Sequence, residues 1–119
     1  MKSEIREYLD NKINDLLNAN SLCKEAKEKL NLYLNNKNTN EEEKYLKELL
    51  NELENDILPV DALVAFTSSD AAIKVFGEEK AKFYNAHANE LKEKGIKYCD
   101  CPACKAAQEI LEKKDEYFL

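Results

Sequence analysis

Apolar residues recur every three or four positions along most of the chain, and short polar runs separate the stripes, so the pattern predicts helices throughout. Ile5, Leu9, Ile13, Leu16 and Leu17 mark the first helix, over about 3–18, with Ser3 as its cap. The turn Asn18-Ala19-Asn20-Ser21 follows. Ser21 or Asn20 then caps a second helix, whose stripe is Leu22, Ala26, Leu30, Tyr33 and Leu34. Residues 35–40 are polar and Asn-rich, the chemistry of a turn in which side chains bond the local backbone. Asn40 with Glu43 resembles a capping box, and Glu41 to Glu43 suit the positive end of a helix. The third helix carries Leu46, Leu49, Leu50, Leu53 and Ile57, and Pro59 stops it.

Beyond Pro59 the periods shorten. Val60 to Phe66 reads as a short apolar helix broken by Thr67-Ser68-Ser69-Asp70, and Ser69 or Asp70 caps a short piece ending at Gly77. The segment from Val60 to Phe76 is the most apolar of the chain. It is expected to form the central core, with any exposed part serving as a dimer face. A helix over about 78–94 carries Ala81, Phe83, Tyr84, His87, Ala88 and Leu91 on one face and closes at Gly95. The last helix, about 102–114, has Pro102 at its first position and turns Ala103, Ala106, Ala107, Ile110 and Leu111 inward. The expected fold is all-α: a compact bundle of five to six helices with mostly antiparallel neighbours, one domain over 1–119.

Composition sharpens this picture. Two glycines and two prolines in 119 residues argue against sandwiches, barrels and hairpins, which need turn residues often. A net charge of -6 with Arg6 as the sole arginine excludes a basic nucleic-acid footprint and bidentate phosphate recognition by arginine clusters. The charged stretch Met1 to Glu7 is not a signal peptide, and the apolar run Ala62–Phe66 falls far short of the ~20 residues a membrane span needs. No nucleic-acid or membrane partner is expected, and the expected compartment is the cytoplasm, where thiols stay reduced.

The candidate chemistry lies in Cys99-Asp100-Cys101-Pro102-Ala103-Cys104, three of the four cysteines within six residues. Cys101 and Cys104 form a Cys-x-x-Cys pair at a predicted helix start, where the helix dipole and unpaired N–H groups favour thiolate. That spacing lets two sulfurs grip one tetrahedral ion, and Cys99 adds a third. A closed zinc site needs a fourth ligand. His87, the sole histidine, is the first choice and Cys23 the other, although a packed histidine and a small helix residue are the plain readings of these two. Clustered thiolates also accept Cu+ or an iron–sulfur cluster. The Cys-Pro-Ala-Cys pair equally suits a thiol redox protein or sensor, and a helical protein–protein interaction module or homodimer is the third reading. Di-iron, deaminase, haem-attachment and phosphate-loop chemistry lack their residues here, and no catalytic residue is assigned.

The runs Asp61-Ala62-Leu63-Val64-Ala65-Phe66-Thr67-Ser68-Ser69-Asp70, Lys74-Val75-Phe76-Gly77 and Tyr98-Cys99-Asp100-Cys101-Pro102-Ala103-Cys104 resemble a short bacterial family. Its members are labelled heat-shock or molecular chaperone proteins of the ninety-kilodalton class. The resemblance covers roughly the C-terminal half and implies a small cytosolic family. The label does not fit the residues: that chaperone class is far longer and has a nucleotide-binding domain with Gly-rich lid segments. No ATPase site or client role therefore carries over.

Overall fold

Four of the predicted stripes, those of the first three helices and the last, become buried helix faces in the structure, a computed structural model that describes all 119 residues. Seven α-helices form: α1 (Ser3–Leu17), α2 (Lys24–Asn35), α3 (Glu42–Asp56), α4 (Val60–Thr67), α5 (Asp70–Phe76), α6 (Glu78–Glu93) and α7 (Pro102–Glu112). A 3-10 helix, Lys114–Phe118, follows. The count exceeds the expected five to six because the piece after Ser69 is a helix in its own right. The Ser69 hydroxyl accepts the Ala72 N–H and restarts the helix only two residues after Thr67.

Three predicted caps are corrected. The residues preceding α1, α2 and α3 are Lys2, Cys23 and Glu41, none of them capping through its side chain, instead of Ser3, Ser21 or Asn20, and Asn40. At α2 the reason is visible. The turn continues from Ala19 to Leu22 through a backbone bond, and the Ser21 hydroxyl is engaged elsewhere, by the Ala103 N–H of α7.

The helices pack as two compact units, one formed by Met1–Ile57 with Asp100–Leu119, the other by Leu58–Cys99. In the first unit α2 lies on α3, and α7 packs on both α1 and α3. Its core is a single cluster in which Leu9, Leu16, Leu30, Tyr33, Leu49 and Ile110 are fully enclosed. Tyr117 of the 3-10 helix joins this core, and its hydroxyl donates to the Ile110 carbonyl at 2.7 Å. Small Ala106 and Ala107 of α7 are buried in this core, where α7 meets α1 and α3.

At the edge of that core Arg6 donates two bonds to the Glu42 carboxylate, at 2.7 and 3.0 Å, and the Tyr33 hydroxyl adds a third at 3.1 Å. The Arg6 bonds above all hold the Glu42 carboxyl below the usual carboxylate range. Stability from this pair is therefore present above the ordinary glutamate pKa of about 4.3 and is lost as pH falls through the depressed value. Glu42→Gln is expected to lower stability by about 1–2 kcal/mol at neutral pH. In chemical denaturation, the gap from wild type should narrow progressively as pH falls below the ordinary glutamate pKa of about 4.3. A gap that stays constant with pH would mean the pair contributes nothing through its charge.

In the second unit α6 packs on α4 and α5. Thr67 is buried at the end of α4, its hydroxyl donating to the Leu63 carbonyl and accepting from Asn85 Nδ2 of α6 at 3.0 Å. Here two expectations fail. The inner face of α6 is Ala81, Ala88 and Leu91, whereas Phe83 is 71% exposed. Phe83 sits about 200° round the helix from Ala81 at 100° per residue, so the two cannot share a face. The apolar segment 60–76 is also not the central core: Phe66, Ile73, Val75 and Phe76 all reach solvent. Its helices are each only about two turns long and cannot enclose every large side chain they carry.

Candidate metal centre

Cys99 is positioned by backbone, Cys101 and Cys104 by a helix start. Gly95, at φ +76°, ends α6 in the left-handed conformation that glycine tolerates, and the chain reverses. It then runs antiparallel to the residues before α4: the Val60 N–H donates to the Lys97 carbonyl at 2.9 Å and the Cys99 N–H to the Leu58 carbonyl at 2.8 Å. This two-bond clasp fixes the Cys99 backbone, and its side chain is buried.

Two residues later the chain enters α7. Cys101 has extended backbone, φ -61° and ψ 156°, as a capping residue requires, and Pro102 supplies a helical φ without needing an N–H partner. The Cys101 sulfur accepts the Cys104 N–H at 3.4 Å, while Ser21 Oγ accepts the Ala103 N–H at 3.4 Å. Two N–H groups of the first turn are thus satisfied, one by sulfur and one by a hydroxyl from a distant part of the chain. Sequence spacing could identify the first partner, but Ser21 is 82 residues away and carries no signal for it.

The three sulfurs of Cys99, Cys101 and Cys104 lie within 4.8 Å of one another and could hold a metal ion. Zinc bonded to sulfur at about 2.3 Å in a tetrahedron needs sulfurs about 3.8 Å apart, so no separation has to close by more than about 1 Å. Rotation of a cysteine side chain about χ1 covers that distance. The chemistry of the donors also fits. Thiolate is the ligating form, and the N-terminal end of α7 carries the partial positive charge that stabilises it.

The other two candidates fall outside this group. His87 is half-buried on α6. Cys23 precedes α2 and donates its thiol to Asp56 Oδ2 at 3.2 Å. Burial, and then the carboxylate of Asp56, push the Cys23 thiol pKa up despite the opposing Ala26 N–H, so it is held as thiol and is a poorer ligand. With Ser21, Asp56 and Cys104 it lines a cavity of ≈ 60 Å³.

No family model matches the chain, and no curated protein or solved structure matches it. No helix is long and apolar enough to cross a membrane.

Proposed function

We propose that the chain is a small metal-thiolate protein in which Cys99, Cys101 and Cys104 bind one zinc ion. In this reading the ion is structural: it fixes the loop after α6 to the first turn of α7. The close approach of the three sulfurs supports it above all else. Zinc is chosen over Cu+ and an iron–sulfur cluster because three thiolates leave one tetrahedral position for a nitrogen or water ligand, an arrangement zinc accepts readily. His87, which lies outside the sulfur group in this structure, would have to move onto the ion to fill the fourth position in this reading. The resemblance to the short bacterial family adds a type of chain and no activity.

The capping position of Cys101 favours a second reading, because a sulfur that accepts an N–H at a helix start is poised as thiolate. Cys101 and Cys104 would then be oxidised to one disulfide while a substrate disulfide is reduced to two thiols. Metal content and free thiols, measured on chain purified anaerobically without chelator, separate the two. About one zinc per chain, with three thiols released only on chelation, is the expected result. No metal together with rapidly reacting thiols would replace the first reading by the second. His87→Gln should retain the ion but weaken binding by about 10- to 100-fold in a chelator competition, since one neutral ligand of four is lost. Unchanged affinity would remove His87 from the site and leave the three sulfurs with an external ligand.

A further inference from the structure

Four aromatic residues of the second unit form a continuous strip on its outside. Phe66 meets Phe76 edge-to-face at 6.2 Å between ring centres, Phe76 meets Tyr84 at 4.9 Å, and Tyr84 meets Phe83 at 5.8 Å. None is buried: Phe66, Phe76 and Tyr84 are 37–40% exposed. At about 200 Å² per aromatic side chain the strip leaves about 400 Å² in solvent. That is within the range of the largest patch on a typical monomer, and such patches often mark interaction surfaces. It also supplies about half of what one partner of a standard interface buries.

The charge around the strip says which partner fits. Residues 58–99 carry six acidic and six basic side chains, so the net charge of -6 belongs entirely to the rest of the chain. A strongly charged partner gains nothing from this surface, whereas a second copy meets no net repulsion from it. The order of charges on α6 is self-complementary as well. Neighbours of Phe83 on its helix face are Glu79, Lys80, Ala86 and His87, and Glu90 lies one turn further on. Two α6 helices running antiparallel about a two-fold axis level with Asn85 place Lys80 of each beside Glu90 of the other. Each Phe83 then lies level with the opposite His87 and beside Ala86, an exposed residue small enough to seat the edge of the ring. Glu90 also bonds Lys94 of its own helix at 2.9 Å, an exposed pair that can be shared.

We propose that this face, α6 with the strip Phe66–Phe76–Tyr84–Phe83, is an isologous dimer interface between two copies of the chain. The area predicts a moderate affinity, with Kd in the range of about 1–100 µM. Sedimentation velocity of the full chain in reductant, from about 1 to 500 µM, is expected to show a monomer–dimer equilibrium. Phe83→Glu should weaken it by about 100-fold or more without altering the circular dichroism spectrum, since the ring is exposed. Lys80→Glu should weaken it by about tenfold, and Lys80→Glu combined with Glu90→Lys should restore it, because the exchange recreates both pairs. A monomer at every concentration overturns the proposal, as does a dimer insensitive to Phe83→Glu. Failure of the double exchange to restore affinity overturns the antiparallel arrangement. A dimer that persists in Phe83→Glu but vanishes in Cys101→Ser would instead be bridged by metal or sulfur.

Discussion

Cys101→Ser or Cys104→Ser is expected to abolish stoichiometric zinc binding and to lower the melting temperature of the zinc-loaded chain by roughly 10–25 °C. An ion present at 100–1,000 times its dissociation constant stabilises the folded form by about 2.7–4.1 kcal/mol. For a chain of this size each kcal/mol moves the midpoint by about 4–6 °C. The metal-free proteins provide the control. Serine is a favoured capping residue, so at Cys101 the helix start is kept when sulfur is exchanged for oxygen. The metal-free wild type and Cys101→Ser should therefore melt within about 2 °C of each other. Elemental analysis and calorimetry with and without chelator check both parts. Equal zinc content would sink the metal reading. An equally large difference in the metal-free pair would show that the sulfur serves packing.

Leu49→Ala should cost about 2–5 kcal/mol, whereas Val75→Ala should cost less than about 0.5 kcal/mol. Leu49 is fully buried among α1, α2, α3 and α7 side chains, so truncation removes its transfer free energy and leaves a cavity. Val75 is 67% exposed and loses almost nothing. Denaturant titrations of the two variants decide the matter. The contrast is strong because Val75 lies in the more hydrophobic stretch of sequence. Comparable costs would mean that the segment 60–76 is packed against something in solution.

That contrast also shows what the sequence could and could not disclose. The stripes of α1, α2, α3 and α7 were legible because each lies on a helix of three turns or more, where a period of 3.6 repeats often enough to define a face. Ile5, Leu9, Ile13 and Leu16 were read as one face and are one face. In α4 and α5 the period has no room to repeat, and mean hydropathy misled: an apolar run is not a buried run. On α6, Phe83 was grouped with Ala81 because both are apolar, yet they are opposed in angle. The Cys-x-x-Cys pair and its capping position were local and therefore readable. The clasp between Cys99 and Leu58, and the Ser21 contact with α7, join positions far apart in sequence, and only the folded chain brings them together.

The clasp bears on the order in which the chain folds. Residues 58–99 interrupt the first unit, so its core waits for Ile110 and Tyr117, which are synthesised after the interruption. A flexible interruption of 42 residues would burden that closure with about 3 kcal/mol of loop entropy. Once folded, however, the inserted segment has its own ends tied, Leu58 to Cys99, at 2.8 Å. The late-arriving α7 then starts within a few residues of where α3 left off. An early, independent collapse of the insertion thus turns a long-range closure into a near-local one, and biosynthesis from N- to C-terminus delivers the pieces in that order.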